Sequence, residues 1–212
     1  MNTATLNAGV AQLPITPPVG VELSGFVARE QPSTGVHDDL FVRALYLEGE
    51  KDRLLWLHCD LVAVSREQTA HVRKALGESL GLEPRQILLT ATHTHSGPAT
   101  VPLRQCGTMN AGYLQMLNDW LVVAGERAAI HSQPVTLHFA EGRCTLARDR
   151  RAASPLSHVD NRLPVLALMN AREEYVALIA NYPMHNVALS AENRLISADM
   201  AGFAAEWAKR RL

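Results

Sequence analysis

Cysteine is scarce in this sequence, and what there is does not pair. The cysteines are Cys59, Cys106 and Cys144, an odd number at wide spacing with no CxxC among them. That pattern excludes a disulfide framework and a thiolate zinc site. It fits free thiols kept reduced. Lysine is also rare: only Lys51, Lys74 and Lys209 occur, and arginine supplies most of the positive charge. The net charge is −1, so there is no broad field to draw nucleic acid or an anionic membrane. No apolar run approaches the ~18 residues of a spanning helix. The N-terminus lacks a basic start followed by an apolar stretch, so the expectation is a cytoplasmic location, or secretion if the true N-terminus is missing from this sequence. Repeats, low-complexity tracts and linkers rich in Gly, Pro or Ser are missing as well, and residues 1–212 read as one unit.

What is present is an ordinary globular balance. The 212 residues are 47% hydrophobic and 19% charged, enough chain to bury a sizeable core. Gly9 to Ile15 reads as a short strand, placed at a sheet edge by Pro14 and stopped by Pro17 and Pro18. Arg29 to Gly35 is mostly polar and reads as a loop. Leu40 to Leu47 and Arg53 to Leu61 are apolar runs that form a hairpin. Ser65 is placed to cap a helix that runs to about Leu80 and ends at Gly81. Gln86 to Thr90 is a short strand, and a longer helix covers Ala111 to about His131. Val135 to Ala140, Leu163 to Met169 and Tyr175 to Ala180 are further strands. A last helix starts near Asp199, with Met200, Phe203 and Trp207 on a stripe expected to pack into the core. The fold class is α/β, a mixed β-sheet flanked by helices.

The chemistry centres on histidines. His93 and His95 follow an apolar strand and precede Ser96-Gly97-Pro98. Alternation along a strand would turn both imidazoles to one side, and the Gly-Pro turn would leave them at a sheet edge. Neutral imidazole is a common zinc ligand. Thr92, Thr94 and Ser96 are placed to orient the rings. His185, in Asn181-Tyr182-Pro183-Met184-His185-Asn186, also lies just past a strand and could reach the same face. Catalytic zinc keeps about three protein ligands and an open position. Asp60 ends a strand and Asp199 starts a helix. Each could orient a ligand or act as a base, or serve only as a structural carboxylate. His37 lies in a loop before the hairpin. Arg150 belongs to an arginine cluster that is either a solvated face or a clamp for a substrate oxygen. The residues alone do not rank His93 above His95.

Several segments, in order, resemble the neutral, non-lysosomal ceramidases and their bacterial relatives. They are Ala8-Gly9-Val10, Ile15-Thr16-Pro17-Pro18-Val19-Gly20, Gly25-Phe26, Gly35-Val36-His37-Asp38 and Arg43-Ala44-Leu45. Asp60-Leu61, Thr92-His93-Thr94-His95-Ser96-Gly97-Pro98, Asp149-Arg150, Asn181-Tyr182-Pro183-Met184-His185 and Ser197-Ala198-Asp199 complete the series. The Thr92-to-Pro98 segment is the most specific. The resemblance implies a zinc ion that activates water to cleave the amide of ceramide, giving sphingosine and a fatty acid. It implies that His93 and His185 are zinc ligands, that His95 contacts the reacting centre, and that Arg150 and His37 line the site. It also implies a Glu and a Tyr ligand from further along the chain than Leu212, so residues 1–212 correspond to the front of the catalytic domain.

The expected function is therefore zinc-dependent hydrolysis of an amide in a small-molecule or lipid substrate, with no nucleic-acid partner. Two other readings stand beside it. One is a binding module that keeps the histidines without a complete site. The other is a different HxH metallohydrolase, which Ser96-Gly97 argues against because the metallo-β-lactamase pattern continues with Asp-His.

Overall fold

The computed structural model describes residues 6–149 and 159–212. Seven strands make one mixed sheet: β1 (Leu6–Pro14), β3 (Phe41–Glu48), β4 (Arg53–Cys59), β5 (Ile87–Ala91), β6 (Gln133–Arg143), β7 (Arg162–Met169) and β8 (Tyr175–Ala180). Their order is β5-β4-β3-β1-β6-β7-β8, antiparallel except at β4–β5. Two short strands, β2 (Gly35–Val36) and β9 (Leu195–Ile196), pair in parallel apart from that sheet. The helices are α1 (Arg66–Leu80), α2 (Ala111–Ile130) and α3 (Asp199–Lys209). No helix among the described residues is long and apolar enough to cross a membrane.

Local sequence explains most of these elements. β3 and β4 are the expected hairpin, with Leu45 opposite Trp56. Ser65 and Gln68 close α1 reciprocally: Ser65 Oγ accepts from the Gln68 amide at 3.1 Å, and Gln68 Oε1 accepts from the Ser65 amide at 3.4 Å. α1 carries the chain from β4 to β5, as a parallel strand pair requires. Alternate residues of β3 and β4 (Val42, Ala44 and Tyr46; Leu55, Leu57 and Cys59) face the main core. Val72 and Leu76 of α1 and Tyr113, Leu117 and Leu121 of α2 cover them. Gly9 lets β1 run hard against the end of α2, since a Cβ there would sit 1.9 Å from the Ala128 carbonyl oxygen.

Two features depart from the sequence expectation. β1 is an inner strand, between β3 and β6, not an edge. Pro14 is tolerated because β6 pairs only with Leu6 to Ala8, so no ladder on that side needs the missing N–H. The stripe on α3 is not core: Phe203 is 72% and Trp207 51% exposed. The helix turns its polar flank to the sheet instead. Glu206 accepts from Gln12 at 3.0 Å and stands 3.7 Å from Arg43, while Lys209 donates to Gln12 at 3.1 Å. Helical spacing then sends Phe203 and Trp207 outward, where the Arg211 guanidinium stacks 4.5 Å from the Trp207 ring. Amphipathic spacing reveals an apolar stripe; it does not say which flank meets the protein.

On β4 and β5, His58 Nδ1 lies 2.7 Å from Thr90 Oγ1, which also accepts from Trp56 Nε1 at 2.7 Å. Burial, helped by the nearby Arg43 charge, pulls the His58 pKa down to about 4. The unfolded chain, with a pKa near 6.5, takes up this proton first. Stability from His58 is thus complete above about pH 6.5 and falls as the pH drops towards 4, by up to about 3 kcal/mol. Urea unfolding across that window should show the fall, and His58→Gln should flatten it. An unchanged pH slope in the variant would contradict this assignment.

Candidate metal centre

The ends of β4 and β5 lie side by side, and their outgoing turns build one wall of a histidine cluster. Asp60, buried just past β4, fixes the first turn. Its Oδ2 accepts from the Phe41 amide at 3.0 Å and from Arg43 Nη1 at 2.7 Å. Burial pushes the Asp60 carboxyl up, against the pull of Arg43. These bonds of Asp60 tie the sheet together, and the ring of His93 is held by other groups. The His93 amide donates to Leu61 O at 2.9 Å, and its Nδ1 lies 2.7 Å from Val62 O. A carbonyl can only accept, so Nδ1 carries the proton and Nε2 keeps its lone pair.

β5 ends at Ala91, so His93 and His95 are not on a strand and the alternation argument does not apply to them. His93 instead adopts φ 62°, a left-handed backbone that an L side chain rarely takes, and this turn redirects its ring. Thr94 and Ser96 hold the loop rather than the rings. Thr94 Oγ1 donates to Ser197 O at 2.8 Å, and the Ser197 amide donates to Ser96 O at 3.0 Å. The Thr92 hydroxyl is buried and makes no hydrogen bond among the described residues.

His185 arrives on the loop after β8. That loop is pinned to the start of α3. Asn186 Nδ2 donates to Ala198 O at 3.0 Å and its Oδ1 accepts from the Ala201 amide at 3.1 Å. Asp199, itself at φ 57°, accepts from the Ala188 and Leu189 amides at 3.1 and 3.0 Å. Its carboxylate therefore orders the His185 loop. Asn186 carries no motif of its own; its role depends on a contact with α3 that the chain pattern does not reveal.

Three imidazoles meet at the result. His95 Nε2 lies 3.0 Å from His185 Nε2 and 3.4 Å from His93 Nε2. The ligand atoms of His93, His95 and His185 all fall within 4.8 Å of one another. Ligands about 2.0–2.1 Å from a tetrahedral zinc ion stand roughly 3.3–3.4 Å apart. Donor type, the His93 tautomer and ligand atoms gathered within 4.8 Å of one another suit a group that could hold a metal ion. The His93 and His185 rings are stacked at 17°, and His95 stands edge-on to both, at 83° and 82°. His93 and His185 are exposed and His95 is buried, so the cluster opens outward on one side. Burial, with the charges of His185, His93 and Arg29, pulls the His95 pKa down to about 4.

His37 lies outside this group. It follows β2, is exposed, and has Nδ1 2.6 Å from Asp38 Oδ2. Asp38 in turn accepts from Ser197 Oγ at 2.5 Å and the Ala198 amide at 2.8 Å, so it braces the junction that holds both histidine loops. Arg150 lies outside the described residues.

Comparison with known proteins finds relatives of the chain and of its fold. The family model described as neutral/alkaline non-lysosomal ceramidase, N-terminal, matches residues 6–211. The chain is similar to the neutral ceramidase of Pseudomonas aeruginosa, 29% identical over 87% of this chain and 30% of that protein. It is 24% identical to the neutral ceramidase of Drosophila melanogaster, over 96% of this chain and 32% of that one. Its fold matches the crystal structure of neutral ceramidase from Pseudomonas aeruginosa with a TM-score of 0.84 at 24% identity, covering 96% of this chain and 35% of the other. The chain spans about a third of the length of the relatives it matches.

Proposed function

The chain belongs to the neutral/alkaline non-lysosomal ceramidase family, and on that premise we propose that it forms the histidine side of a zinc-dependent amide hydrolase. The proposed substrate is an N-acylated sphingoid lipid, ceramide, cleaved to sphingosine and a fatty acid. The observation that carries this reading is the convergence of the His93, His95 and His185 ligand atoms. A zinc ion held there would supply Lewis acidity and a bound water whose pKa falls towards ~7.

His93 and His185 are the proposed metal holders. Their stacked rings come from opposite loops, and Val62 O sets the His93 tautomer. His95 is proposed to serve the substrate, holding or giving a proton at Nε2 to the amide oxygen or the leaving nitrogen. Arg150 is proposed to assist the developing oxyanion, its planar guanidinium suiting a carbonyl oxygen. His37 is proposed to line the rim of the site beside Asp38. His93 and His185 are exposed on one side of the cluster, and that is the side from which a lipid amide is proposed to approach.

The test is turnover of a short-chain fluorescent ceramide by the zinc-loaded protein. The expected result is hydrolysis that stops on chelation and returns with zinc. Undiminished hydrolysis by metal-free protein would sink the proposal. A second reading, that these residues hold the metal without turning over substrate, needs only the three converging imidazoles. Stoichiometric zinc binding with no hydrolysis would select it.

A further inference from the structure

Arg29 is buried at 7% exposure, in a segment otherwise notable only for its polarity, and no carboxylate pairs with it among the described residues. A buried cation is costly unless its donors are met. Here backbone carbonyls meet them. Nη1 donates to His95 O at 2.7 Å and to Ser24 O at 3.4 Å. Nη2 donates to Ser190 O at 3.3 Å, and Nε to Ala191 O at 3.4 Å. The guanidinium therefore spans the two loops that carry the histidines: one arm holds the carbonyl of His95 itself, and the other holds Ser190 and Ala191, further along the loop that carries His185.

A second link runs through an aromatic ring. The Arg29 guanidinium carbon lies 5.0 Å from the centre of the Phe26 ring. That ring meets His95 edge-on, at 5.0 Å between centroids and 71°. Phe26 thus packs against the His95 imidazole while Arg29 fixes the main chain of the same residue.

We propose that Arg29 is the positioning residue that sets the distance between the His95 loop and the His185 loop, and so the spacing of the imidazoles that face a metal. This rests on the proposed metal centre for its purpose, but the geometric part stands without a metal. A planar fork is needed to reach carbonyls on both sides; a lysine ammonium, a point donor, would serve only one side well.

The test begins on the metal-free chain with labelled histidines. In the wild type, His95 and His185 ring protons should give a nuclear Overhauser effect. Arg29→Gln, folded by circular dichroism, should lose it, and Arg29→Lys should recover it in part. Cobalt(II) titration should show affinity about 10- to 100-fold weaker in Arg29→Gln, the usual cost of removing a group that orients ligands. Loss of the ring contact in a folded variant supports the proposal. A folded Arg29→Gln that keeps the contact overturns it, whatever its stability, because a purely structural staple would lower stability without moving the rings. Should Arg29→Gln fail to fold, the wild type decides. A slowly exchanging Arg29 Nε–H close to Ala191 supports the bridge; a freely exchanging one overturns it. A wild type that binds no cobalt defeats the metal reading, while the ring contact still decides Arg29.

Discussion

His93→Ala should abolish stoichiometric zinc binding while leaving the fold intact, with affinity reduced by more than the ~10- to 100-fold typical of losing a ligand's orienting partner. His93 brings the best-prepared donor: its Nδ1 proton points to Val62 O, its amide is tied to Leu61 O, and its Nε2 lone pair faces the cluster. The exposed ring contributes little to the core, so thermal unfolding should shift slightly. His185→Ala should match it. His95→Ala should keep zinc and lose hydrolysis, because His95 is assigned to the substrate. Zinc titration followed by calorimetry, with the ceramide assay in parallel, separates the three variants. Equal zinc loss in all of them would move His95 from substrate to metal.

Gly25→Ala should damage the same centre from its buried side. Gly25 sits at φ +106°, a conformation that an L side chain resists. A Cβ there would lie 2.4 Å from His95 Cγ and 2.5 Å from His95 Nδ1. Phe26, packed edge-on against the same ring, limits where His95 can go. The ring must swing out of line with His185, or the Gly25 turn must open. Backbone strain alone should cost about 1–3 kcal/mol. Urea unfolding should register that loss, and the ring contact between His95 and His185 should disappear. A variant of wild-type stability with the contact preserved would show that the turn gives way more easily than its geometry suggests.

Features of the fold that depend on neighbours along the chain are legible in the sequence. The Ser65–Gln68 cap, the β3–β4 hairpin and the apolar runs of β5, β7 and β8 each follow from local spacing, and the mixed sheet flanked by helices follows from their succession. Sequence misleads where distant contacts decide. Pro14 has the pattern of an edge marker, yet the ladder on its open side simply stops at Ala8. The α3 stripe has the pattern of core, yet Gln12 and Arg43 of the sheet draw in Glu206. His93 and His95 stand out by residue type, but strand alternation is the wrong reason, because their turn does not obey it. Arg29 leaves no signal in the sequence at all. Its acceptors are carbonyls, which every residue has, and those on the two histidine loops lie 66, 161 and 162 positions away.

Imidazoles from two loops, about ninety residues apart in the chain, are assigned to one metal ion. A crystal of the zinc-soaked protein, measured at the zinc absorption edge, decides whether they share it. One anomalous peak is expected, about 2.0–2.1 Å from the Nε2 atoms of both His93 and His185. A peak bound to only one of them, or no peak at the cluster when zinc is in excess over protein, contradicts the shared site.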